Sequence, residues 1–92
     1  MIITEHAEHR SRERLGIPRK AVPRTALKAL KHGIRADDFT GPIRRFLDGR
    51  RHNNGGDYIV YGQHLFVFKG ETLVTVFQLP AEFRDYKKWI AR

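Results

Sequence analysis

The chain has no cysteine, one methionine and one tryptophan in 92 residues. Missing thiols exclude disulfides and thiolate metal sites, and suit a reducing compartment. No apolar run is longer than a β-strand, far short of the roughly 20 residues a membrane helix needs. Met1-Ile2-Ile3 is followed at once by Thr4-Glu5-His6, which is not the apolar core of a signal peptide. These absences predict a soluble, cytoplasmic protein with no membrane partner. Carboxylates are scarce too: 10 Asp and Glu face 18 Lys and Arg, for a net charge of +8.

What is present is unevenly spread. Residues 1–51 carry 13 Lys and Arg against 6 Asp and Glu, whereas residues 52–92 carry 5 against 4. Charge segregated in this way is the footprint expected of a polyanion binder or of a protein with an acidic partner. The length fits one domain, 1–92, with a basic helical half (1–51) and a sheet with a C-terminal helix (52–92).

Local signals predict the elements. Thr4 is an N-cap before a helix over about 5–15, with Glu5 and Glu8 suiting its positive end and Gly16 its C′ position. A second helix spans about 21–32, with Pro23 in its first turn, Val22, Ala26, Ala29 and Leu30 as its docked stripe, and Gly33 after its end. Thr40-Gly41-Pro42 opens a short third helix over about 42–49, turning Ile43, Phe46 and Leu47 inward, and "RRHNNGG" follows as a loop. Residues 58–62, 64–69 and 72–78 are rich in β-branched and aromatic types with hairpin spacings, and read as an antiparallel meander. Ile2-Ile3 is a candidate fourth strand. Pro80 ends the sheet, and a last short helix brings Phe83, Tyr86, Trp89 and Ile90 to one face. The fold class is α+β, with N-terminal helices on a three- to four-stranded antiparallel sheet. Val60, Phe66, Val67, Leu73, Val74, Val76 and Leu30 form the expected core.

The first helix is the chemical puzzle, since only Ala7 and Leu15 offer it an apolar anchor. His6, Arg10 and Arg14 stand at i, i+4 and i+8 and share one polar line. Guanidiniums bind phosphate oxygens in bidentate fashion, and an imidazole moves protons near neutral pH. A metal-independent cleavage of RNA would use a second imidazole, with His64 as the candidate and His52 as the alternative, and Tyr58 and Tyr61 as donors or stacking platforms. Arg10, Arg12, Arg14, Arg19, Lys20, Arg24, Arg44, Arg45, Arg50 and Arg51 are the expected nucleic-acid contacts. No metal or cofactor is expected: His6 and His9 lack a second ligand pair, Asp37-Asp38 suits a turn, and "NNGGD" lacks the lysine and helix of a phosphate loop.

"HAEHRSRERLGIP", His6 to Pro18, resembles the opening of small bacterial and phage domains whose first helix reads His-Ala-x-x-Arg-x-x-x-Arg. Their second helix leads into an antiparallel sheet that ends in a "VTV"-type strand, similar to "LVTVFQLP" from Leu73 to Pro80. Such domains resemble the barnase–EndoU–colicin–RelE group of ribonuclease folds, and the likeness spans about residues 3 to 80. It implies an acid/base role for His6, phosphate clamping by Arg10 and Arg14, and a contribution from Thr75 on the last strand. The strands lack the dense Lys, Arg and Tyr chemistry of a strongly active RelE-type toxin.

Three functions compete. The leading one is an RNA- or ribonucleoprotein-directed protein, either a toxin-like metal-independent ribonuclease or an inactive relative that binds RNA. In a toxin–antitoxin pair its partner would be a small acidic antitoxin. The second is a phage or mobile-element protein that inhibits a host protein or ribonucleoprotein, since folds are reused without their chemistry. The third is a DNA-binding module built on the first two helices, against which stand two prolines in "GIPRKAVP" and the lack of Asn or Gln base readers.

Overall fold

Strands with little polar alternation need cover on both faces, and the two central strands are of that kind. β3 (Asp57–Tyr61) and β4 (His64–Lys69) read DYIVY and HLFVFK, and Tyr58 to Val60 and Leu65 to Phe68 are buried without a break. In the computed structural model, which describes residues 1–91 apart from the side chains of Asn53 and Asn54, helices cover both faces. The chain runs β1 (Ile2–Ile3), α1 (Glu5–Leu15), α2 (Val22–His32), β2 (Ile34–Arg35), α3 (Gly41–Asn54), β3, β4 and β5 (Thr72–Gln78). The sheet order is β1-β5-β4-β3-β2.

On one face α1 and α2 cover Ile59, Phe66, Phe68, Leu73 and Val76. Their contact residues are small (Ala7 and Ser11 on α1, Ala26 and Ala29 on α2), so both backbones approach the sheet closely. Ser11, buried in this layer, donates to the Ala7 carbonyl at 2.7 Å and so brings no unsatisfied hydroxyl with it. On the other face Phe39, with Ile43 and Leu47 of α3, packs on Tyr58, Val60, Leu65 and Val67. Phe83 and Tyr86 complete that layer, with Phe46 and Phe83 ring to ring at 5.0 Å.

The α+β class holds, with differences in detail. The sheet has five strands and is mixed: β3, β4 and β5 form the antiparallel meander, but β1 pairs with β5 in parallel. β2 pairs with β3 through Ile34 and Arg35 alone, too short a run to show alternation in sequence. Both outer strands therefore come from the basic half of the chain. α3 continues through Gly49 and includes His52, so the expected loop after residue 49 is largely helix. Asp48 bridges the glycine, accepting from Arg44 at 2.9 Å and from Arg51 at 3.2 Å, which offsets a penalty of about 1 kcal/mol for a helical glycine. Val74 and Leu30 are half-buried rather than core.

The C-terminal segment is not a regular helix but two 3₁₀ turns, Ala81–Phe83 and Tyr86–Trp89. Phe83, Tyr86 and Trp89 recur every third residue, the spacing that eclipses side chains in 3₁₀ geometry. The following backbone bridges back to Phe39 through Ile90, which a continuing helix would prevent.

Gly33 also differs from expectation. Its φ of −70° is open to any residue, so it is no left-handed cap like Gly16, whose φ is 66°. A Cβ on Gly33 would collide with Ile59 Cγ2 and lie 2.5 Å from the Ala29 carbonyl oxygen. The glycine is there because α2 ends against β3. Gly33→Ala should cost about 3 kcal/mol in urea unfolding, the upper end of overpacking penalties; a loss under about 0.5 kcal/mol would show that the helix end moves aside freely.

Tyr86 gives a pH signature. Its hydroxyl donates to the Gly62 carbonyl at 2.8 Å, and burial raises its pKa above the ordinary phenol value. A raised pKa means that the folded state holds the proton longer than the unfolded chain does. The contribution is complete below about pH 10 and is lost as pH climbs through the folded pKa. Tyr86→Phe should lower stability by about 1 kcal/mol at neutral pH, and the stability difference between the two proteins should shrink above about pH 10. A difference that stays constant into alkali would contradict this.

Candidate nucleotide cleft on the sheet edge

β1 covers β5 only at Thr72 and Leu73, so from Val74 onward β5 has no strand on its outer side. α1 lies there instead. Thr4, which caps α1 by accepting from the Ala7 N–H, also donates its hydroxyl to the Val74 carbonyl at 3.3 Å. Arg14 Nη1 donates to the Val76 carbonyl at 2.9 Å. Carbonyls two residues apart point to the same side of a strand, so both ends of α1 satisfy one open edge.

A β-bulge at Val74 shifts the register, so that Thr75 pairs with Val67 and Leu73 with Phe68. Tyr58, Val67 and Thr75 consequently stand in one row across β3, β4 and β5. α3 leaves part of this face open. The result is a cleft of about 240 Å³ lined by Tyr58, Val67, Lys69, Val74, Thr75 and Phe77. At its rim, Thr75 Oγ1 and His6 Nε2 are 3.2 Å apart. The hydroxyl donates when Nε2 is bare and accepts when Nε2 carries a proton. Phe77 has two cations against it, with the Arg14 and Arg50 guanidinium carbons 5.4 and 4.8 Å from the ring centroid.

The candidate residues are thus sorted. His6, Arg14 and Thr75 come together at the open edge. Arg10, between His6 and Arg14 on the helix, turns to Glu13 at 3.0 Å. His64 stands apart: the alternation of β4 puts it on the α1–α2 face, opposite to Thr75, where its Nε2–H donates to the Arg14 carbonyl at 3.1 Å. It ties down the end of α1. His52 is exposed on α3, and Tyr61 packs edge-on against Phe66, away from the cleft. His9 pairs with Glu13 at 3.2 Å and does not join His6. Among the described residues no three His, Cys, Asp or Glu side chains gather as metal ligands.

Half of the ten expected phosphate contacts have carboxylate partners, Arg10 with Glu13 among them. Arg12 and Arg19 share Glu8, and Arg44 and Arg51 share Asp37 and Asp48. Arg45, Lys20 and Arg24 are exposed and have no ion pair among the described residues. Lys69 and Phe77 were not singled out from the sequence. Both could have been, because Phe77 lies two residues after Thr75 and Lys69 two residues after Val67, so each shares its neighbour's face; the bulge at Val74, which puts Thr75 in the row of Val67, leaves no local signal.

Comparison with protein-family models, curated proteins and solved structures finds no match to the chain. No helix among the described residues is long and apolar enough to cross a membrane.

Arg14 is a structural group as well as a site residue. Arg14→Ala frees the Val76 carbonyl and uncovers Phe77, and should cost about 1–2 kcal/mol in denaturant unfolding. Arg10→Ala, which removes only a surface pair, should cost less than about 0.5 kcal/mol. Equal losses would mean that the edge contact contributes nothing of its own.

Proposed function

We propose that the protein is RNA-directed, that it seats a nucleotide of a single strand in the cleft, and that His6 is its proton-transfer group. The observation that carries this reading is the meeting of His6 and Thr75 at 3.2 Å on the rim of that cleft. The half-buried ring of Phe77 offers a base a stacking surface, a contact worth about 1–3 kcal/mol per base. Lys69 and the guanidiniums beside the ring supply positive charge for a neighbouring phosphate.

RNA carries its own nucleophile. The 2′-oxygen attacks the adjacent phosphorus, its proton passes to a base, and the bond from phosphorus to the 5′-oxygen breaks as that oxygen gains a proton. His6 is the base in this scheme, Thr75 fixes its ring, and the cations stabilise the phosphorane. With His64 on the other face, one imidazole among the described residues serves the cleft, and solvent protonates the leaving oxygen. That economy fits slow turnover, and it also favours a second reading in which the cleft binds RNA without cutting it.

Cleavage of bulk RNA should persist in a metal chelator and fall by about 10²–10⁴ in His6→Ala. His9→Ala, paired to Glu13 away from the cleft, should keep the wild-type rate. RNA left intact by the wild-type protein, with and without ribosomes, would remove turnover and leave binding. Unchanged single-strand affinity in Phe77→Ala would remove binding at the cleft as well.

A further inference from the structure

Between Glu13 and Asp37 the chain has seven Lys and Arg and no carboxylate side chain. α2 lies at the centre of this span. Val22, Ala26 and Ala29 face the sheet, whereas Arg24, Lys28 and Lys31 point the opposite way and are exposed. These three stand at i, i+4 and i+7, within about 60° of arc and along about 10 Å of helix. Lys20, in the 3₁₀ turn Arg19–Ala21 that leads into α2, extends the stripe. None of the four has an ion pair among the described residues. The arginines of α1 and α3 differ, since most of theirs are matched by glutamate or aspartate.

We propose that this outward face of α2 is a second nucleic-acid surface, one that docks on the phosphate backbone of an RNA duplex. The choice of RNA rests on the function proposed above; the surface itself does not. One strand of B-form DNA presents a phosphate about every 3.4 Å along the axis, and A-form RNA is more compact, so the stripe spans at least about three phosphates of an RNA strand. The face has no aromatic ring on which unpaired bases could stack, and no Asn or Gln to read base edges. It therefore meets the part of nucleic acid that a duplex exposes and ignores what it hides. A protein partner fits less well: interfaces between proteins are poor in lysine and anchored by aromatic side chains, and Leu27 is the one large apolar group here. Because α2 and the cleft lie on opposite faces of the sheet, the two surfaces are separable by mutation.

The test compares two triple variants that remove equal charge: Arg24→Gln/Lys28→Gln/Lys31→Gln on α2, and Arg84→Gln/Lys87→Gln/Lys88→Gln near the C-terminus. Thermal melts establish that both are folded. Affinity for an RNA duplex free of single strands should drop at least about tenfold in the α2 variant, and the log–log salt slope should flatten by about 0.9 for each phosphate that is no longer neutralised. The C-terminal variant should stay near wild type, and an unpaired trinucleotide should bind the α2 variant as it binds wild type. Equal losses in the two variants would reduce the effect to net charge and overturn the proposal. So would an unchanged duplex affinity, tighter binding of duplex DNA than of duplex RNA, or equally tight binding of polyglutamate. Failure of the cleft appears elsewhere, as single-strand binding indifferent to Phe77→Ala, and leaves the duplex result standing.

Discussion

The open edge of β5 is the constraint from which the placement of α1 follows. A strand with an unpaired row of carbonyls must be paired, charged or covered, and β1 is too short to do it beyond Leu73. α1 supplies the cover with polar groups at both ends: Thr4 for Val74 and Arg14 for Val76. This explains why the helix is so poor in apolar residues. It needs only Ala7 on the sheet, with Leu15 packed beside it, because hydrogen bonds and a cation–ring contact hold the rest. His6 reaches Thr75 for the same reason, since a helix pinned at Thr4 and Arg14 holds the polar line that His6 shares with Arg14 over the rim.

The charge pattern divides along the same architecture. On α1 and α3 most arginines sit within reach of a carboxylate on the same or a neighbouring turn, and such exposed pairs are worth little to stability. Their effect is to neutralise. Arg44 and Arg51 around Asp37 and Asp48 are an internal network. α2 has no such carboxylates, so its positive potential is undiminished although it carries no more Lys and Arg than α1, three on each. A count of Lys and Arg along the sequence ranks α3 first, with four against three on α1 and three on α2; pairing in space moves the strongest free charge to α2.

Much of the fold was legible because its signals are local. Thr4 and Gly16 delimit α1, Pro23 opens α2, and the β-branched runs define three strands whose ends fall within a residue or so of expectation. The failures share a cause, which is control by distant partners. Gly49 reads as a stop, yet Asp48 reaches across it in both directions. "AEFRDYKKWI" has a helical look, but its tail is claimed by Phe39. Two-residue strands have no periodicity to detect, and they gain order only from neighbours already in the sheet. In the candidate site, the meeting of His6 and Thr75 was within reach through resemblance, whereas the separation of His64 followed from strand parity and the bulge at Val74 decided which row Thr75 joined.

Arg14 shows how structure and chemistry are coupled at this edge. One of its nitrogens is committed to the Val76 carbonyl, and its carbon rests near Phe77. A guanidinium has five N–H groups in a fixed fork, so one hydrogen bond leaves others to face an incoming anion. The commitment has an advantage: a long side chain already held by backbone and ring loses less conformational freedom when a ligand arrives. The contact that seals the sheet edge thus also prepares a cation beside the cleft. By the same geometry the guanidinium stays at the rim, within reach of a phosphate whose base lies on Phe77 and out of reach of one bound across the sheet on α2.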